Sequence, residues 1–248
     1  MLALQAPESS PWGVLRLEAG LLAGNGIEQE TDSRRDFAGR LSAAKSFGRL
    51  SIGGGFSYYY GGVYQGNENV YRMSGGGFRP DDSPANKGRY ARREYFGFDL
   101  QAGLKTAAGA TKLHAEYLFG RQPGTAESSG SPNSSLRPEG DTYLRDFRGG
   151  YVMLVQSLGE LPVSAVAKFD WYDPNTKVSR DDIGHGTGTG AADIGRHTWG
   201  FGALWDIFPS LRLTVFYEKC KNEMSAGLDG YGENRKDDSF TFRLQYKF

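Results

Sequence analysis

The sequence predicts an all-β fold, a transmembrane antiparallel up-and-down β-barrel with about ten strands present, each about ten residues long. Three observations predict it. Apolar and polar residues alternate with a period of two along most of the chain. The alternating segments have the length a tilted strand needs to cross a bilayer, and the connections between them alternate between short turns and long polar stretches. Mean hydropathy is -0.53 and no apolar run approaches the roughly 18 residues of a membrane helix, which excludes a helical integral membrane protein. A barrel is untouched by that argument, because only every second strand residue faces lipid and the polar lumen residues cancel the average.

Residues 1–11 form a lead-in without the basic start and apolar stretch of a signal peptide, and residues 12–248 carry the strands. Leu15, Leu17, Ala19 and Leu21 open the pattern, followed by Phe37, Gly39, Leu41 and Ala43, then Leu50, Ile52, Gly54, Phe56, Tyr58 and Tyr60. Phe96, Phe98, Leu100, Ala102 and Leu104 alternate with Gly97, Asp99, Gln101, Gly103 and Lys105. Further strands are expected over 111–119, 147–155, 163–171 and 199–207. Leu211, Leu213, Val215 and Tyr217 make the next apolar face, and Phe240, Phe242, Leu244, Tyr246 and Phe248 the last. Tyr58, Tyr60, Tyr117, Phe119, Trp171, Tyr217 and Tyr246 fall near strand ends on that face, where amphipathic rings settle at a membrane interface.

Short turns are expected at 46–48, 106–109, 157–160 and 208–210, and long loops at 24–35, 61–88, 121–142, 173–196 and 219–236. Gly, Ser, Asn, Asp and Pro fill the long loops, which read as mobile segments without elements of their own. Short turns at one end and long loops at the other match an outer-membrane barrel, and the parity brings Phe248 to the short-turn side. The largest loop, 61–88, is the one expected to fold inward and narrow a pore.

Equal numbers of Lys plus Arg and Asp plus Glu, 29 each, argue against nucleic acid as a partner. A lone Cys220 excludes a disulfide framework and any multi-cysteine metal site. His114, His185 and His197 sit at unrelated spacings, so no metal site is expected. The glycine-rich run at 184–190 lacks the Lys and Ser/Thr of a phosphate cradle, and Asp81-Asp82 and Asp181-Asp182 read as solvated loop acids. No enzyme, catalytic residue or cofactor is expected.

Three stretches resemble the phosphate-selective porin O/P family of Gram-negative outer membranes: residues 17–26 with 30–37, Gly53 to Gly62 with its Tyr58-Tyr59-Tyr60, and Phe169-Asp170-Trp171-Tyr172-Asp173-Pro174-Asn175. Their order matches the family's later strands. The closing Phe248 looks like the terminal aromatic read by the outer-membrane assembly machinery. The resemblance implies a water-filled diffusion channel for small hydrophilic solutes, with an anion or phosphate preference, in contact with outer-membrane lipid and assembled as a homotrimer. It also implies about sixteen strands, so the chain is expected to be the C-terminal part of a longer porin. A self-contained ten-stranded barrel would leave little open channel and would act as an anchor or surface-binding protein through its long loops. A soluble β-sandwich is the remaining competitor; it predicts a protein that stays in solution without detergent.

In a channel, selection rests on the inward side chains. The basic pore-lining candidates are Arg16, Arg40, Arg93, Lys105, Lys112, Arg148, Lys168, Arg212, Arg243 and Lys247. The acidic ones are Asp99, Glu116 and Asp170, with Glu18, Asp36, Asp146, Asp206 and Glu218 beside them. Two roles compete for these residues: rings that set the local potential, and cross-strand salt bridges that stiffen the wall.

Overall fold

The computed structural model describes residues 1–25, 33–131 and 140–248. Thirteen strands form one sheet: β1 (Leu2–Gln5), β2 (Leu15–Leu22), β3 (Asp36–Phe47), β4 (Leu50–Tyr64), β5 (Val70–Ser74), β6 (Gly77–Asp81), β7 (Tyr90–Thr106), β8 (Gly109–Gly124), β9 (Thr142–Ser157), β10 (Val163–Asp173), β11 (Arg196–Phe208), β12 (Leu211–Asn222) and β13 (Ser239–Tyr246). The wall runs β1-β2-β3-β4-β7-β8-β9-β10-β11-β12-β13, with antiparallel neighbours throughout. Its two edges, β1 and β13, are not paired with each other, so the sheet is open.

Every strand expected from the alternation is present, and three more join them. β1 has only four residues, too few for a period to show. β5 and β6 form a hairpin inside the loop that reads as structureless in the sequence. Its turn, Gly75-Gly76, takes positive φ values of 61° and 81°, the mirror-image turn that matches strand twist and that glycine adopts without strain. Phe78 of this hairpin lies over the polar face, its ring 5.0 Å from the Arg145 guanidinium. β5 pairs in parallel with the free edge of β9, Val70 opposite Thr142, and so extends the wall.

Register sorts the side chains onto two faces. One carries Leu17, Leu41, Phe56, Phe98, Tyr117, Val152, Phe169, Phe201, Val215 and Phe242, joined across the sheet in an unbroken series of cross-strand pairs or neighbours. Most of these side chains are exposed, with Phe169 and Val215 half-buried; Phe242 and Leu244 retain 68% and 60% of their free surface. A compact soluble monomer of 27.2 kDa would expose about 11,000 Å², whereas this chain exposes 15226 Å². The excess is what a single-layer wall produces, with no second sheet to cover its apolar face.

The buried residues gather at the long-loop end. Val178, Ile183, Ile194 and Tyr231, from the β10–β11 and β12–β13 loops, form one cluster with Met73 and Leu228 against it. Val70, Ala91 and Leu144 form a second under the β5–β6 hairpin. The hairpin is fastened to the β10–β11 loop by Phe78 N–H donating to the Thr187 carbonyl at 2.7 Å. Gly186 packs there so closely that a Cβ would lie 2.1 Å from the Gly76 carbonyl oxygen. The Gly184 to Gly190 run is therefore packing material for a loop layer rather than a free segment.

Candidate pore-lining surface

Opposite the apolar face, register assembles a polar one. Arg16 lies on β2, Arg40 on β3, Arg93, Asp99 and Lys105 on β7, Lys112 and Glu116 on β8, Lys168 and Asp170 on β10, Arg212 on β12 and Arg243 on β13. Cross-strand pairs such as Asp99 with Glu116, Arg40 with Glu18 and Lys168 with Gly200 place them on the same side. Lys247 follows β13 with the same parity, its N–H held by the Ser210 carbonyl at 2.8 Å.

Arg148 is not on this surface. It stands opposite Phe119 on β8 and Asp173 on β10, on the apolar side, and Asp146 goes with it opposite Arg121. The reversal has a physical reason. β9 is apolar on both faces, with Tyr151, Met153 and Val155 on one and Val152 and Leu154 on the other, so alternation alone does not orient it. Pairing of Val152 with Phe169 and Leu154 with Ala167 does.

On this face the acids and bases hold each other, two of the pairs across an intervening strand. Arg40 donates through Nη2 to Asp99 at 2.8 Å, and through Nη1 to the same carboxylate and to Ser57 Oγ at 3.2 Å. The guanidinium reaches Asp99 by lying over Gly55 of β4; a Cβ there would stand 2.8 Å from Arg40 Nη2. Lys168 repeats the device over Gly200, contacting Asp170 at 2.9 Å and Glu218 at 3.1 Å. Arg16 pairs with Glu18 at 2.7 Å and Arg212 with Asp206 at 2.6 Å.

What remains is basic. Among the described residues, Lys105, Lys112, Arg243 and Lys247 are exposed and have no carboxylate within 4.0 Å, and Glu116 is the acid on this face in the same position. Lys105 and Lys112 flank the β7–β8 turn and Lys247 adjoins the β11–β12 turn, so these bases cluster in the short-turn half. Arg196, which the sequence reading passed over, starts β11 on the same face and also lacks an acidic partner.

Toward the loop end the polar face becomes a buried network. Asp36, 1% exposed, accepts from Tyr59 Oη and from Gly62 N–H at 3.3 Å and stands 3.5 Å from Arg93. Arg93 in turn donates to the Gly24 carbonyl at 3.0 Å and to Ser131 Oγ at 2.8 Å, tying two loops to the wall. Gln122 draws the Ser129 carbonyl over the same face. Arg145 and Asp193, both fully buried and 2.8 Å apart, anchor the β10–β11 loop; Asn175 Nδ2 and Gly190 N–H complete the carboxylate's partners at 2.7 and 2.9 Å. Among the described residues, the segments laid over the polar face thus include 128–131 and 187–194, together with Gly24 at Arg93 and Phe78 at Arg145. The parts of the sequence resemblance at 26–32 and of the loop at 132–139 lie outside the described residues.

No group of three or more His, Cys, Asp or Glu suited to a metal ion occurs among the described residues. Asp181 accepts from Ala226 N–H at 2.8 Å and serves as a staple between loops.

No family profile and no curated protein matches the sequence. A solved porin structure, refined at 1.8 Å resolution, superposes with a TM-score of 0.52 over 99% of this chain and 60% of that one, at 14% identity. The NanC porin structure aligns with a TM-score of 0.37 over 94% of this chain and 98% of that one, at 7% identity. The chain spans about 60% of the length of the first porin. Strand order and this likeness together establish a porin-type fold.

Proposed function

We propose that the chain forms the wall of an outer-membrane porin, a passive diffusion channel for small hydrophilic solutes that favours anions, phosphate among them, as its resemblance to the phosphate-selective porin O/P family implies. The observation that carries the reading is the division of one sheet into an exposed apolar face and a polar face whose uncompensated charge is basic. Permeation needs no chemistry here. Solutes cross beside Lys105, Lys112, Arg243 and Lys247, which raise local anion concentration, while the paired charges at Arg40–Asp99 and Lys168–Glu218 cancel and stiffen the wall. Homotrimer formation and capture of Phe248 by the assembly machinery belong to the same proposal.

The test is reconstitution into a planar bilayer under a salt gradient. Discrete conductance steps with an anion-selective reversal potential are expected, and Lys105→Glu with Lys112→Glu should move that potential toward cation selectivity. An unchanged potential in the double variant rejects these lysines as the selective element. The packed loop layer favours a second reading, an anchor or surface-binding barrel; negligible conductance from folded, membrane-inserted protein would transfer the function to it.

A further inference from the structure

Permeation uses the polar face and leaves one feature of the opposite face without a role. At the loop end, the apolar face finishes in charge. Arg92 and Glu94 on β7, Arg121 on β8, and Asp146 and Arg148 on β9 continue the same alternation that presents Phe96, Phe98, Tyr117 and Phe119. Lys177 joins them 3.9 Å from Asp146, and Arg34 lies over the Tyr90 ring with its guanidinium 4.6 Å from the centroid. Arg34 is matched by Asp36 at 3.7 Å, and the bases Arg92, Arg121, Arg148 and Lys177 outnumber the acids Glu94, Asp146 and Asp173.

Between these residues lies an open groove of about 480 Å³, with Phe96, Tyr117 and Phe119 as its floor and Arg92, Arg121 and Arg148 on its rim. Arg92 is engaged by Glu94 through Nη2 at 2.6 Å, Arg148 by Asp173 through Nε at 3.3 Å, and Arg121 by Asp146 through Nε at 2.7 Å and Nη2 at 3.3 Å. Their side chains stay 52%, 57% and 42% exposed, so the remaining N–H groups are open to a further acceptor. Phosphate oxygens are the acceptors that guanidinium forks fit, and an aromatic floor continuous with the membrane face fits acyl chains. We propose that this groove binds the phosphate headgroup of an anionic lipid from the surrounding leaflet. The proposal rests on the reading of the chain as a membrane wall.

Trp171 and Trp199 border the neighbouring groove that shares Arg148, and they provide the readout. A Trp12→Phe/Trp205→Phe background leaves these two indoles as the reporters. The protein is inserted into phosphatidylcholine vesicles containing brominated phosphatidylglycerol or, separately, brominated phosphatidylcholine. Severalfold stronger quenching by the phosphatidylglycerol is expected, falling to parity in Arg121→Gln/Arg148→Gln. Asp146→Asn/Asp173→Asn, which removes the competing carboxylates, should strengthen the preference and guards against a folding defect in the arginine variant. Equal quenching by both lipids overturns the lipid site and leaves the membrane reading intact. Quenching by neither overturns the membrane reading itself. A fluorescence response to inorganic phosphate equal to that from the anionic lipid would mark a site for the free anion and reject the lipid assignment.

Discussion

The two ends of the wall solve the same electrostatic problem in opposite ways. At the loop end Arg145 and Asp193 meet at 2.8 Å with both side chains fully buried; at the short-turn end Arg212 and Asp206 meet at 2.6 Å with both about half exposed. The bond lengths are alike and the surroundings are not. A buried pair has lost its hydration and depends on its partner, while an exposed pair exchanges its partner for water at little cost. The loop end therefore behaves as a packed protein core and the short-turn end as a solvated ladder held by backbone pairing and, in the proposed setting, by lipid.

Breaking each pair from one side tests that contrast and gives the largest expected effect. Asp193→Ala strands the Arg145 guanidinium among Phe78, Tyr143 and the loop backbone and should cost about 3 to 5 kcal/mol. Asp206→Ala should cost about 0 to 1 kcal/mol. Urea titration of each variant in detergent micelles measures both, and equal losses would show that the two ends are not built differently. A second contrast, between the faces, has a smaller expected effect. Leu213→Arg places a charge on the apolar face of β12 and should cost about 2 to 4 kcal/mol on folding into bilayers. Thr214→Arg, one residue on and facing the polar side, should be close to neutral. If Leu213→Arg folds into bilayers as well as the parent, the facing is reversed.

The faces were legible in the sequence because alternation is a local signal, and wherever one face of a strand is polar it also orients the strand. Leu211 to Tyr217 and Phe240 to Tyr246 meet that condition. β9 does not, and its ambiguity carried Arg148 and Asp146 to the wrong side. The β5–β6 hairpin had a readable signal, Gly75-Gly76 between Tyr71-Arg72-Met73 and Phe78, hidden by the polar composition around it. Which charges cancel was not readable at all. Arg40 finds Asp99 and Lys168 finds Glu218 across the strand that lies between theirs, and only register combined with the glycine at the crossing makes those meetings possible. The loop layer was hidden for a similar reason: its polar residues are satisfied by partners far along the chain, such as Asp193 by Arg145, and look like solvated loop until the fold joins them.

The smallest effect expected lies where the two regimes meet, at the entrance to β13. Asp238 sits outside the strand, accepting from Tyr217 Oη at 2.6 Å and from Cys220 N–H at 3.0 Å. The Tyr217 hydrogen bond holds its carboxyl below the usual carboxylate range, against an opposing effect of desolvation. A carboxyl whose folded pKa is depressed stabilises the fold above its unfolded pKa of about 3.9, and that stabilisation is lost as the pH falls through the folded value. The expected signature is a thermal midpoint in the parent that drops more steeply between neutral pH and about pH 3 than in Asp238→Asn, with the two curves drawing together at the acid end. Asp238 is exposed to solvent, so its contribution should also shrink as salt is raised. Parallel pH curves for parent and variant would mean that the Tyr217 contact is spectator geometry and that β13 is held by its ladder with β12 alone.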